Sequence, residues 1–314
     1  MKILIASSID PETIEKLRKQ HDVVCAFNAS EEKLRSLITD RGVLIFRSGV
    51  NISSKVMACA PNLKLLIRAG SGLDNLDLDE ARSRNIKLVR IHEPGGRAVA
   101  ELAFTLMLAL SRQILEADRL LRAGHWAKHE LNGCLLTGKT LGIVGAGNIG
   151  EQLGQLGVAW GMTVIAYDIA ASSERTNELA KKGILLTELQ DVLKQSDYLS
   201  IHVPLNDSSR NMIGAQELSQ MKPEAFLLNL ARGGVVNEAA LVQALTTPDG
   251  LRGAALDVHE NEGEGAISPL AEFPNVILTP HIGSNTIDTQ QEIGRRILEA
   301  ITTFEAENKG RTHE

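Results

Sequence analysis

Aromatic residues are scarce in this chain of 314 residues, at 3%, so its cores must be filled by Leu, Ile, Val and Ala. Cysteine is almost as rare. Cys25, Cys59 and Cys134 are scattered, with no C-x-x-C pair and no metal-ligand spacing. That excludes a disulfide framework and leaves no metal site to expect; the three fit small buried hydrophobes in a reducing compartment. No run of Lys or Arg and no basic patch interleaved with aromatics occurs, and the net charge is −6. Nucleic acid and anionic membranes are therefore poor partners. Long apolar runs are missing too. The most apolar segment, Leu102–Leu110, is bounded by Glu101 and Arg112 and falls far short of a membrane span. The apolar stretch at the N-terminus, Ile3–Ala6, is too short for a signal-peptide core and suits a first strand. A cytoplasmic location is expected.

What is present is concentrated in Lys139–Asp168. Leu141–Val144 has the length and pattern of a strand, and Gly145-Ala146-Gly147-Asn148-Ile149-Gly150 forms a glycine turn. An amphipathic helix is predicted from about Glu151 to Trp160, and a second apolar run, Thr163–Tyr167, ends at Asp168. This is a βαβ unit with G-x-G-x-x-G at its first turn and a carboxylate about 20 residues on. Gly145 permits the tight turn, Gly147 lets the backbone approach a pyrophosphate, and Gly150 lets helix and strand pack closely. The helix N-terminus offers free N–H groups and a positive dipole end to the phosphates. Asp168 accepts hydrogen bonds from both ribose hydroxyls and repels a 2′-phosphate. No Arg directly follows it, so NAD is favoured over NADP.

The length suits two domains, each with its own core. Candidate strands in residues 1–92 are Lys2–Ala6, Val23–Phe27, Val43–Phe46, Leu65–Arg68 and Lys87–Ile91. Helical patterns lie between them, such as Pro11–Gln20 with Asp10 as N-cap. His92–Gly96 breaks this rhythm, and one long helix is predicted from Ala98 to about Arg122, ended by Gly124. From Val99 to Leu110 it is apolar nearly all round. Its expected setting is between domains, between subunits, or both, with burial inside one large monomer as the alternative. A homodimer through the 98–122 helix is the default expectation. Further strands are Ile184–Leu186, Tyr198–Val203, Ala225–Asn229, Gly253–Asp257 and Val276–Thr279. The final helix, about Asn285 to Ala306, is expected to pack back on the first domain. The fold class is α/β, with two doubly wound parallel sheets. A Rossmann domain spanning 98–284 is inserted in a flavodoxin-like substrate domain made of 1–97 and 285–314.

Ligands of open parallel sheets sit outside the C-terminal strand ends. Several strands here end in polar residues: His202, Asn229 with Arg232, Asp257, and His281. Interconverting a hydroxy acid and a keto acid needs a guanidinium on the carboxylate, an acid/base near neutral pH, and a carboxylate to support that base. Arg232, His281 and Glu262 supply all three. Singly, each has a duller explanation: a surface Arg, a solvated Glu, a His in a turn. His202 in His202-Val203-Pro204 is as readily structural as functional.

From Lys2 to about Ala306 the sequence resembles the D-isomer-specific 2-hydroxyacid dehydrogenases, and within them the D-3-phosphoglycerate dehydrogenases. The matching motifs are Arg47-Ser48, Arg68-Ala69-Gly70-Ser71-Gly72-Leu73-Asp74-Asn75, Ala100-Glu101, Gly145–Gly150, His202-Val203-Pro204, Ala231-Arg232-Gly233-Gly234, Ala255–Val258 and Thr279–Ser284. The resemblance implies an NAD-dependent enzyme in which Arg232 binds the substrate carboxylate, His281 is the proton donor and Glu262 its partner. It also implies an NAD site lined by Asn148, Ile149, Asp168, His202, Val203, Pro204, Leu230, Ala231, Arg232, Asp257, His281, Ile282, Gly283 and Ser284, with Asp257 near the nicotinamide carboxamide. The related formate dehydrogenases lack the Glu–His pair and are disfavoured.

For the substrate, Arg47, Arg68 and the loop Gly70-Ser71-Gly72 resemble the phosphate-meeting residues of phosphoglycerate enzymes. That would place the enzyme in serine biosynthesis. Ion pairing of both arginines with nearby carboxylates is the alternative. Glyoxylate, hydroxypyruvate or a phosphonate are alternative substrates, and an NAD(H)-sensing corepressor-like protein is an alternative of another class. Three departures stand out. Pro94–Glu101 is about two residues shorter than usual and lacks an Asn, and Arg97 is a candidate to reach the same pocket. The usual aromatic after Asp257-Val258 is His259, and the Pro after Glu262 is Gly263. No C-terminal regulatory domain is expected, and hence no serine feedback through one.

Overall fold

A strand buried on both faces needs apolar side chains at every position, and Ile3–Ile5, Val43–Phe46 and Leu65–Ile67 supply them. The computed structural model describes residues 1–70, 72–92 and 94–310. Ser71 and Glu93 lie outside the described residues. The chain divides into two units: Met1–Gly95 together with the chain from Asn285 onward, and Gly96–Ser284.

The first unit contains β1 (Lys2–Ile5), α1 (Pro11–Arg18), β2 (Asp22–Cys25), α2 (Glu31–Leu37), β3 (Val43–Phe46), α3 (Ser54–Ala58), β4 (Leu65–Ala69), α4 (Leu78–Ser83) and β5 (Lys87–Ile91). Its sheet is parallel throughout, in the flavodoxin-like order β2-β1-β3-β4-β5. Side chains alternate across it. Ile3, Ile5, Val43, Ile45, Leu65 and Ile67 face one layer, and Leu4, Leu44, Phe46 and Leu66 the other.

The second unit contains α5 (Gly95–Arg112), α6 (Ile114–Arg122), β6 (Thr140–Val144), α7 (Asn148–Ala159), β7 (Thr163–Tyr167), α8 (Ser173–Lys181) and β8 (Ile184–Leu186). It continues with α9 (Leu189–Gln195), β9 (Tyr198–Ile201), α10 (Ala215–Leu218), β10 (Phe226–Asn229), α11 (Glu238–Thr246), β11 (Gly253–Leu256) and β12 (Val276–Leu278). Its seven strands run in the order β12-β11-β10-β9-β6-β7-β8. The chain leaves β6 toward β7 and β8, then returns to β9 on the other side of β6. This reversal is the topological switch point where such sheets bind ligands.

The last helix, α12 (Ile287–Gly310), returns to the first unit and packs on α1, β4 and β5, as the sequence predicts. Ile293, Ile297, Ile301 and Phe304 complete the layer that contains Ile3 and Ile45. A side chain at Gly294 would collide with Thr13, so α12 and α1 approach closely.

One prediction fails. The long helix predicted from Ala98 to Arg122 is two helices, α5 and α6, bent by 59° at Gln113, whose φ is +52°. The apolar periodicity does not stop there, but the backbone hydrogen bonding does. The Ser111 carbonyl accepts the N–H of Cys134 (2.9 Å) instead of continuing the helical ladder. Ser111 Oγ meets the buried Tyr198 hydroxyl at 2.7 Å. The α5 half is buried at Ala98, Ala100, Ala103, Leu106, Met107 and Leu110, whereas α6 buries none of its residues. Among the described residues no single helix is long and apolar enough to cross a membrane.

Candidate active site

The glycine turn is built by β6 and β7 together. Val144 pairs with Tyr167, and Gly145 N–H donates to the Tyr167 carbonyl at 2.8 Å, which sets Asp168 beside the turn. Gly145 has φ +95°, and a side chain there would press on the His202 carbonyl and Val203. A side chain at Gly150 would collide with the Gly145 carbonyl, which is why helix and strand can touch. Gly147 is different: nothing lies within 4 Å of where its Cβ would stand. It is also the N-cap of α7 and supplies no side-chain cap. The helix start thus carries no side-chain cap and has clear space beside Gly147, at the positive end of the helix dipole, which fits a dinucleotide pyrophosphate. Asp168 Oδ1 accepts the Ala170 N–H (2.9 Å), fixing the carboxylate after β7.

Sequence reasoning missed Arg175. Its guanidinium donates to the Ala146 carbonyl (3.1 Å) inside the glycine turn and to Glu151 (2.5 Å) on α7, while Lys182 reaches Glu151 as well (2.5 Å). The turn is thus braced from α8. No local spacing signals a contact 29 positions along the chain.

His202 follows β9, the other neighbour of β6, and its N–H donates to the Val144 carbonyl (2.8 Å). Its Nε2 pairs with Ser200 Oγ at 2.8 Å, and its buried Nδ1 has no hydrogen-bond partner among the described residues. Burial pushes the ring's pKa down to about 3, so it is neutral at working pH.

Three loops after β10, β11 and β12 carry the remaining polar residues. Asn229 is buried and shapes the first: its Oδ1 accepts Ala231 N–H (3.1 Å) and its Nδ2 donates to the Arg232 carbonyl (3.0 Å). Leu230 and Ala231 are buried beneath, and Arg232 Nη1 donates to the Ala231 carbonyl (2.7 Å). Asp257, 1% exposed, organises the third loop. It accepts Thr279 Oγ1 (2.6 Å) and the N–H groups of Ile282 and Gly283 (2.8 Å each). The turn it holds places His281 at φ +54°, a left-handed conformation that a non-glycine residue adopts only when its surroundings enforce it. This role of Asp257 in shaping the turn was not visible in its spacing.

Glu262, in the second loop, stands 2.9 Å from His281 Nδ1 through Oε2, and its Oε1 accepts the His259 N–H (3.2 Å). Burial pushes the Glu262 carboxyl up, but the His281 hydrogen bond and charge and the His259 contacts outweigh it and hold the group below the usual carboxylate range. An ionised carboxylate on Nδ1 leaves Nε2 of His281 as the ring's other proton-carrying atom.

The residues expected to meet a substrate tail divide between the units. Arg47, at the end of β3, donates to Asn285 Oδ1 (3.4 Å), and burial lowers its pKa. Asn75 braces it by donating to the Arg47 carbonyl (2.9 Å). Arg68 is 3% exposed and turned onto its own loop: Nε donates to the Gly72 carbonyl (2.8 Å), Nη1 to the Ala69 carbonyl (3.2 Å), and the guanidinium fills the space beside Gly70. Ser71 lies outside the described residues. In the second unit Arg97 projects from the first turns of α5 and pairs with Glu101 (2.9 Å). Gly96 beside it packs so closely on Asn148 that a side chain would collide.

Residues 104–283, more than half of the chain, match the model of the D-isomer specific 2-hydroxyacid dehydrogenase NAD binding domain. The chain belongs to that family. The matched residues lie within the second unit and include the glycine turn and Asp168. The D-3-phosphoglycerate dehydrogenase of Mycobacterium bovis is 37% identical over 299 residues, 95% of this chain and 56% of that protein. The chain therefore spans little more than half the length of that relative. The hydroxypyruvate reductase of Thermotoga maritima is 34% identical over 303 residues, covering 96% of this dehydrogenase-family chain and 97% of that one. Among solved structures, a D-lactate dehydrogenase from Aquifex aeolicus complexed with NAD and lactic acid superposes with a TM-score of 0.85 at 26% identity, over 98% and 97% of the two chains.

Proposed function

We propose that the protein is an NAD-dependent dehydrogenase interconverting a D-2-hydroxy acid and its 2-oxo acid. The observation that carries this reading is the 2.9 Å contact between Glu262 and His281 at the strand ends of a sheet whose first turn is open to a dinucleotide. NAD, held by Gly145–Gly150 and Asp168, supplies the hydride acceptor when bound. In the oxidative direction His281 takes the substrate hydroxyl proton, and Glu262 stabilises the imidazolium that results. Arg232 grips the carboxylate in a fork that a lysine could not reproduce.

The finer reading is a substrate with an anionic, phosphorylated tail, most simply 3-phosphoglycerate and its 2-oxo acid. Arg47 supports it by its place just after β3, where a guanidinium can grip phosphate oxygens with two parallel hydrogen bonds. Arg68 supports it indirectly, by holding the Ala69 and Gly72 carbonyls on either side of the expected phosphate contact. NADH consumption against phosphohydroxypyruvate, hydroxypyruvate, glyoxylate, pyruvate and 2-oxoglutarate tests both levels. Selectivity for the phosphorylated acid, lost in Arg47→Ala, is the expected result. Equal turnover of hydroxypyruvate would remove the phosphate from the reading, and NADH binding without any turnover would favour a sensor.

The working form we infer is a homodimer in the cytoplasm. Helix α6 buries none of its residues, and Ile114, Leu115 and Leu121 on it, with Trp126 and Leu135 beyond it, are exposed. An apolar surface of this kind is one that a second copy would cover. Light scattering tests it, and a monomer across a wide concentration range would overturn it.

A further inference from the structure

Three segments that carry the proposed chemistry meet at one peptide, His259–Glu260. The His259 carbonyl lies directly against Gly233, where any side chain would collide with it, so the Arg232 turn is seated on this peptide. The His259 N–H donates to Glu262 Oε1 at 3.2 Å. Its ring reaches the other way, with Nε2 3.0 Å from the Thr279 carbonyl. A carbonyl only accepts, so Nε2 is the donor and carries the proton. Thr279 is two residues before His281, and its hydroxyl is fixed in turn by Asp257 (2.6 Å).

The neighbouring residue is anchored independently. Glu260 N–H donates to Glu238 Oε1 (2.8 Å) at the start of α11, and Glu238 N–H donates to Glu260 Oε1 (3.0 Å). Glu238 is 4% exposed and Glu260 is exposed, so this two-way exchange is a part-buried pin. With the loop pinned at Glu260 and tied through the His259 ring to Thr279, the Glu262–His281 distance of 2.9 Å has little room to drift.

We propose that His259 is a positioning residue: it couples the loop that holds Glu262 to the turn that holds His281, and so fixes the hydrogen bond between them. The activity readout rests on the dehydrogenase reading; the geometry does not. Sub-ångström placement of an acid/base matters because a misplacement of about 1 Å can lower turnover about a hundredfold. The charged and titratable groups that face the His259 peptide and ring are Asp257, Glu260 and Glu262 from its own segment, Glu238 from α11, Arg232 from the turn seated on the peptide, and His281 beyond Thr279.

Two variants separate positioning from space-filling. His259→Phe keeps a flat ring and removes its donor, and His259→Gln returns an amide N–H near the position of Nε2. The expected result for His259→Phe is a kcat for 2-oxo acid reduction lowered about ten- to a hundredfold, with KM for NADH unchanged. The midpoint of the kcat/KM profile should move to lower pH, since an imidazolium less firmly paired gives up its proton sooner. His259→Gln restores both. The same midpoint, followed by NMR on the His281 ring without NADH or substrate, gives a readout independent of turnover. Wild-type kcat and midpoint in His259→Phe would overturn the proposal. So would a loss of kcat shared by both variants with the midpoint unmoved, which marks a merely structural role. If the wild-type protein reduces no 2-oxo acid, the dehydrogenase reading fails, and the His281 titration still decides the role of His259.

Discussion

The first strand of each unit's sheet, β1 and β6, is followed by a turn and a helix, yet these two turns are opposites. In the first unit Asp10 caps α1: its carboxylate accepts the Thr13 N–H and the Thr13 hydroxyl, both at 2.8 Å, and Pro11 removes a further N–H from the helix start. That helix end satisfies itself and presents a negative charge. In the second unit Gly147 gives α7 no side-chain cap, and the space beside Gly147 is clear. The sheets are both parallel and doubly wound, so the architecture does not distinguish a binding turn from a structural one. The residue at the N-cap does.

The largest test of the comparison removes the chemistry from the second unit's strand ends. His281→Ala is expected to lower kcat/KM about a thousandfold, and Arg232→Ala at least about a hundredfold, with NADH affinity by fluorescence titration nearly unchanged. Wild-type rates in both would end the catalytic assignment. A smaller effect comes from making α7 resemble α1. Gly147→Asp should weaken NADH binding on the order of ten- to a hundredfold by setting a like charge before the pyrophosphate, while the melting temperature holds or rises. Unchanged NADH affinity would mean that the open N-cap is not the phosphate site.

Acid titration sharpens the contrast further. The folded-state pKa of Glu262 lies below its unfolded value, so its contribution to stability is present above the unfolded value and lost as pH falls through the folded one. Urea unfolding across that acidic range should therefore show a shallower loss of stability in Glu262→Gln than in the wild type. Parallel curves would mean that the His281 pairing does not stabilise the fold. The smallest effect belongs to the self-capped turn. Asp10→Ala should lower stability by about 1 kcal/mol and leave NADH affinity untouched, and a loss of affinity there would erase the distinction between the two turns.

What the sequence shows plainly is what local pattern encodes. Apolar runs mark the strands, the glycine spacing marks the β6–α7 turn that Asp168 stands beside, and a His and a carboxylate at neighbouring strand ends mark the pair proposed for proton transfer. What it hides depends on partners far along the chain. The break at Gln113 is invisible in α5 and α6 because its cause is Cys134 taking the Ser111 carbonyl. Arg175 gives no local sign of bracing the glycine turn, nor Asp257 of capping the His281 loop. Arg68 looks like a displayed cation and is instead a strut, buried against its own loop carbonyls.

The return of α12 to the first unit has a consequence for biogenesis. The layer that holds Ile3, Ile45 and Ile67 also needs Ile293, Ile297 and Ile301, so a nascent chain that has emerged only through β5 has one face of its sheet covered only in part, by Ile14 and Leu17 of α1. The seven-stranded unit, continuous from Gly96 to Ser284, is synthesised in full while that face still lacks α12. The unit translated first is therefore the one completed last, and in the interval its unclosed apolar face is the part of the molecule most in need of a chaperone.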